Sequence, residues 1–173
     1  MMYELKKYLC LIAMSVLMTV HAQTINRYGT TTANFLEIGV GSSGTAMGDA
    51  YVAVASDVSS IYWNPAGLSN VSKSSALFMI QPWLVDIDML FAGGAMVIPR
   101  VGVIGLGITH LDYGEMDVTN LQYQDGTGER FGASDVAAAL TFSRKIVSWF
   151  SFGSSMKYIS SNIWHSSASA FAV

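Results

Sequence analysis

WFSFGSSMKY (149–158) is written for a strand with two unlike faces. Phe150, Phe152, Met156 and Tyr158 are large and apolar. Ser151, Gly153, Ser155 and Lys157, which alternate with them, are small or polar. Successive side chains of a strand point to opposite sides, so one extended run sorts the two sets onto two surfaces. The segment 136–145 repeats the pattern, with Val136, Ala138, Leu140 and Phe142 set against Ala137, Ala139, Thr141, Ser143 and Lys145. So does 102–109, where Ile104, Leu106 and Ile108 alternate with Val103, Gly105, Gly107 and Thr109. A soluble sandwich also alternates, but its outward face carries more charge. Here the polar face is mostly Gly, Ser, Thr and Ala, which suits the lumen of a barrel whose apolar face meets lipid.

Working outward, the pattern predicts strands near 75–81, 87–98, 101–112, 134–145 and 148–160, with a sixth beginning near 168. Pro99-Arg100 and Ile146-Val147 read as tight turns, and 113–133 as a long, polar, Gly-rich and acidic loop. Short turns on the periplasmic side and long loops outside are the rule for outer-membrane barrels. Trp83, Tyr113, Trp149 and Trp164 fall near strand ends, where interfacial aromatic girdles belong. Ordinary core positions are the alternative for each. Tyr113, Glu115, Asp117, Tyr123 and Asp125 become the candidate contacts of an external loop.

The N-terminus reads as a leader. Lys6 and Lys7 precede an uncharged apolar run, LCLIAMSVLMTV (9–20), and Val20-His21-Ala22 places the expected cleavage before Gln23. A spanning helix needs roughly 20 apolar residues, so this run of about twelve is a signal peptide and not an anchor. Cys10, the sole cysteine, lies at the start of that run and not after it, which argues against lipidation. The mature chain then has no thiol for a disulfide or a metal site. Removing Glu4, Lys6 and Lys7 from 12 acidic and 9 basic residues leaves 11 and 7, a net charge of −4. No basic stripe collects phosphates, so nucleic acid is not an expected partner.

Charged residues make up 12% of the chain, about half the share usual in a soluble domain. Apolar residues make up 51%, yet no run beyond the leader is long enough for a membrane helix. Closed β-barrels are the remaining way for a chain to satisfy its backbone in lipid.

No motif carries chemistry. GVGSSG (39–44) matches the dinucleotide pattern by letter, but the preceding NFLEI (34–38) is a poor buried strand and no βαβ unit frames it. Small residues that let backbone pack closely are the better reading for Gly39, Gly41, Gly44 and Gly48. His21 leaves with the leader, and His110 and His165 lie near strand ends. Asp112, Glu115 and Asp117 lack the Gly and the final Glu of a calcium loop. No strained G-x-S-x-G elbow is present. No catalytic residue, cofactor or metal is expected.

TANFLEIGVG (32–41), AMGDAYVAVASD (46–57) and IYWNPAGL (61–68) together resemble the N-terminal signature of the PorV/PorQ family of FadL-like outer-membrane proteins. The chain departs from that pattern at Ser42-Ser43-Gly44-Thr45, where relatives commonly carry a basic residue. The resemblance implies an antiparallel transmembrane β-barrel of about fourteen strands with an N-terminal plug. After the signal peptide (1–22) read above, it divides the chain into a plug (23–74) and a partial barrel (75–173). Asn64-Pro65-Ala66-Gly67 would be a structural latch between plug and wall, with Pro65 fixing φ and Asn64 bonding local backbone. The implied role is assisting type IX protein secretion or the surface attachment of cargo. Its partners would be outer-membrane lipid, secretion components and cargo C-terminal domains. The alternative role is a FadL-like channel for hydrophobic small molecules. Five strands and the start of a sixth cannot close even an eight-stranded barrel, so the chain reads as an N-terminal fragment of a protein about twice its length.

Overall fold

The computed structural model describes residues 33–85 and 87–173. The signal-peptide reading and the start of the N-terminal segment lie outside the described residues. From Ser75 onward the chain is a meander of six antiparallel strands: β1 (Ser75–Pro82), β2 (Asp88–Ile98), β3 (Gly102–Asp117), β4 (Arg130–Val147), β5 (Phe150–Ile163) and β6 (Ser166–Ala172). Each strand pairs with its sequence neighbours, in the order β1 to β6, and the sheet is open at β1 and β6. No helix among the described residues is long and apolar enough to cross a membrane, which says nothing of crossing by strands.

The register carries the alternation across the whole sheet. Phe91 pairs with Thr109, Thr109 with Ala137 and Ala137 with Ile159, all on one face. One step along, Ala92, Ile108, Ala138 and Tyr158 are paired in a row on the other. The first face is covered by the N-terminal segment. The second is bare, and Phe78, Ile80, Leu106, Ile108, Leu140 and Phe152 are exposed on it.

Residues 33–74 form short turns and no strand: a 3₁₀ turn at Asn34–Glu37, helical turns at Ser42–Ala46 and Ser60–Trp63, and a 3₁₀ turn at Pro65–Asn70. Ala, Gly and Ser dominate here, so no amphipathic stripe long enough for an independent helix exists. The segment is held by what it packs on. Phe35 and Val40 join Met89, Phe91, Leu111 and Ala137 in one apolar cluster. Val58, Ile61 and Leu68 join Ala95 and Val103 in a second. The covered face has room for them because its residues are small. A Cβ on Gly107 would stand 2.8 Å from Ile61 Cγ2, and one on Gly105 would stand 2.7 Å from Leu68 Cδ2. Both distances are closer than atoms pack, so the missing side chains are the sockets for Ile61 and Leu68.

Two expectations from the sequence need correction. The stretch 113–133 is not one loop: β3 and β4 continue past the core to Asp117 and Arg130, leaving 118–129 as the connection. A bulge between Asp112 and Glu115 lets the ladder resume, with Glu115 opposite Gly132 and Asp117 opposite Arg130. Arg130 then bridges both carboxylates at 3.1 Å. Second, β5 and β6 are joined by the tight Trp164-His165 turn at the same end of the sheet as the 118–129 connection, where the rule of long external loops predicts a long one.

Candidate functional site

Tyr62-Trp63-Asn64 is the point at which the N-terminal segment is tied together. All three side chains donate to main-chain carbonyls upstream. The Tyr62 hydroxyl reaches the carbonyls of Leu36 (2.5 Å) and Ile38 (2.8 Å). The Trp63 indole N–H reaches Val40 (2.8 Å), and the Asn64 amide reaches Val52 (3.0 Å). The carbonyls of Gly41, Gly44, Thr45, Met47 and Tyr51 are paired within the turns, whereas those of Leu36, Ile38, Val40 and Val52 accept no main-chain N–H there and are satisfied by these side chains.

The glycines of 39–48 fall into two pairs with different reasons. Gly39 and Gly44 flank the Trp63 ring, and a Cβ on either would run into the indole or into Asp49. Gly41 and Gly48 have φ of +90° and +59° with open space around them, so backbone conformation selects glycine there. The Trp63 ring also meets Tyr51 and Tyr62 edge-on, with centroids 6.0 and 5.2 Å apart. Such pairs add about 0.5–1.5 kcal/mol each beyond burial.

Asn64-Pro65-Ala66-Gly67 lies against β4 and β5. Asn64 caps the 3₁₀ turn by accepting from the Ala66 N–H at 3.1 Å, with Pro65 in the first position, where no donor is needed. The Ala66 carbonyl accepts from Ser143 Oγ on β4 (3.1 Å) and from Ser69 Oγ (2.9 Å). Ser69 Oγ also meets Ser151 Oγ on β5 at 2.8 Å. Gly153 on β5 passes beneath Pro65 and Ala66 so closely that a Cβ would overlap their backbone. Gly67 is pressed in the same way on the Ala55 carbonyl.

Electrostatics on the covered face are sparse. The Lys157 ammonium lies 5.7 Å from the Tyr62 ring centroid, a cation–π placement. The Tyr113 hydroxyl donates to Asp135 at 2.7 Å across β3 and β4. Burial first, then the charges of Asp49 and Glu37, push the Tyr62 phenol up from 10.0 to about 12. Among the described residues, no group of three or more His, Cys, Asp or Glu side chains could hold a metal ion.

The external-loop candidates separate. Tyr113, Glu115 and Asp117 lie on β3, with Tyr113 turned to the core side, while Tyr123 and Asp125 lie in the 118–129 connection. Tyr123 is exposed, and its N–H and carbonyl pair with Asn120. Trp83, Trp149 and Trp164 are exposed at strand ends, whereas Tyr113 is not among them. The Tyr62 and Trp63 donors were not singled out from sequence. Their acceptors are main-chain carbonyls, so no residue pattern marks the pairing.

No protein-family model matches the chain, and no curated protein or solved structure is significantly similar to it.

Proposed function

We propose that the chain is wall and plug of an outer-membrane β-barrel of the PorV/PorQ kind, assisting type IX secretion or surface attachment of cargo proteins. The observation that carries the reading is the contrast between the two faces of the sheet. Outward positions from Leu90 to Met96 on β2, Ile104 to Ile108 on β3 and Val136 to Phe142 on β4 hold no charge, and many are exposed. Water gives such a face nothing to gain, while lipid does. The 11 residues of β2 fit the ~9–11 a tilted strand needs to cross a bilayer core.

The opposite face is small, partly polar and filled by residues 33–74, as a plugged lumen would be. A second reading, passage of a hydrophobic small molecule, is favoured by one feature. A cavity of about 600 Å³ opens between β1 and the Gly-rich turn, with Leu77 and Met79 on one side and Ser42 and Thr45 on the other.

Fractionating cells and comparing secreted proteins with and without the gene tests both readings. The expected result is protein in the outer membrane and, on deletion, cargo retained in the periplasm. Normal secretion with lost uptake of a long-chain fatty acid would support the second reading. Recovery of the protein in a soluble fraction would sink both.

A further inference from the structure

We infer that the Gly-rich turn at Val40–Thr45 is the inner clasp of the barrel seam: with β1 it forms a slot that receives the closing strand of the full-length protein. The inference rests on the barrel reading above and names what occupies one of its surfaces.

In a meander each strand takes its partners from its neighbours in sequence. β1 has one such neighbour, β2, because residues 33–74 before it form no strand. The other edge of β1 therefore presents main-chain N–H and carbonyl groups that have no partner in the sheet. Nothing in the strand guards that edge. Ser75–Pro82 has no charged residue, its one proline is its last residue, and its register with β2 is unbroken over all eight positions. Phe78 and Ile80 are 65% and 60% exposed on it. Edges that stay open in native sheets carry charges, prolines or bulges. An edge of this kind is built to pair, and an extended backbone is what pairs with it.

The space beside the edge is a second, independent observation. A cavity of about 600 Å³ runs along β1 from Leu77 to Trp83, and one of about 430 Å³ continues it back to Ser75. Asp57 and Leu77 line both, so the two form one groove along the whole edge. Its far wall belongs to the N-terminal segment, with Val40–Thr45 and Tyr51 at the first cavity and Ser56–Val58 at the second. That wall is fixed from behind. The Trp63 indole N–H holds the Val40 carbonyl at 2.8 Å, and Gly44 lies so close to the ring that a Cβ would overlap it. Val58 and Ile61, on either side in sequence, pack with Ala95 on β2 and Val103 on β3. The turn thus stands opposite β1 at a position set by the rest of the sheet.

The lining says what the strand carries. Leu77 and Met79 on one side, and Val40 and Tyr51 on the other, are apolar. Side chains that enter the first cavity are therefore apolar and larger than the Gly, Ser, Thr and Ala on the covered faces of β3 to β5, since small ones would leave it void. On the bare side, beside Phe78 and Ile80, the same strand needs residues that suit lipid. The closing strand is apolar on both faces where it passes the turn. This cavity is also the one that favours passage of a small molecule, and a strand that fills it leaves no room for a ligand there.

The test uses the full-length protein in outer-membrane fractions, with the photoreactive residue p-benzoylphenylalanine in place of Ser43 on the slot wall or of Phe78 on β1. Mass spectrometry of the cross-linked peptides should place the adducts from both positions on one strand beyond β6, apolar on both faces. Ser42→Trp, which puts an indole into the slot, should lower the heat-modifiable folded form severalfold. Ser42→Ala should leave that form unchanged, and so should Leu121→Trp, exposed in the 118–129 connection.

Adducts from Phe78 on a strand that Ser43 does not reach overturn the clasp while the barrel reading stands. Adducts on residues 23–32, or on a second polypeptide, assign the edge to another occupant and overturn it too. Normal folding of Ser42→Trp has the same force. Recovery of the protein outside the membrane overturns the barrel reading together with the clasp.

Discussion

Ser143 Oγ on β4 donates to the carbonyl of Ala66 at 3.1 Å, joining residues 77 positions apart. Ser143 is fully buried, and the same carbonyl has a second donor in Ser69 Oγ. Replacing Ser143 by Ala therefore leaves the carbonyl one partner, and the expected loss is about 1 kcal/mol. Adding Ser69→Ala removes the remaining one, and the pair should cost more than the sum of the single changes. Urea titration monitored by proteolysis within residues 33–74 measures both. Strict additivity would mean that the two hydroxyls do not share the carbonyl.

Gly153 sits directly under Pro65 and Ala66. Ser154, its neighbour in β5, is exposed on the bare face. Gly153→Ala should lift the 65–70 turn from the sheet at a cost of about 1–3 kcal/mol, the range for overpacking, while a change at Ser154 should stay within about 0.5 kcal/mol. The same urea and proteolysis measurement ranks them. Equal sensitivity at the two positions would contradict the close contact.

Tyr62 gives a pH signature. Its phenol is raised from 10.0 to about 12, because burial and the charges of Asp49 and Glu37 disfavour the phenolate. The folded state thus keeps a proton that the unfolded state releases between those values. The stabilisation is complete below about pH 10 and is lost as pH rises through about 12. Tyr62→Phe removes this dependence and also frees the Leu36 and Ile38 carbonyls. Difference absorbance of tyrosinate against the Phe variant should show one phenol titrating late. A phenol that titrates near 10 would show that the 36–38 turn leaves Tyr62 open to water.

Strand positions from 75 to 163 were legible because most of these strands are half-buried, and period-two alternation survives wherever one face meets a core. The end of β3 and the start of β4 were not. Beyond Tyr113, whose ring still packs on the core, nothing buries them, so Gly114, Glu115 and Asp117 carry no alternation, and Arg130 holds them together from 13 and 15 residues away. The Asn64–Gly67 turn was readable from local chemistry. The three consecutive donors at 62–64 were not, because their acceptors are main-chain carbonyls that any sequence supplies. Lys157 was legible as a residue of the small, polar face, but its place over Tyr62 depends on register between two distant segments.

The bare face offers the sharpest test of membrane residence. Leu106 lies mid-strand, paired with Gly94 on β2 and Leu140 on β4, and it is 63% exposed. In water, an arginine at such a position changes stability by no more than about 0.5 kcal/mol. In a bilayer midplane, the same arginine costs about 2–4 kcal/mol. Leu106→Arg should therefore lower the amount of assembled outer-membrane protein sharply, and Leu140→Arg should do the same. Asp112→Arg, at the acidic strand end, should be tolerated. The measurement is heat-modifiable mobility of the full-length protein from membrane fractions. Equal assembly of all three variants would place the bare face against something other than lipid.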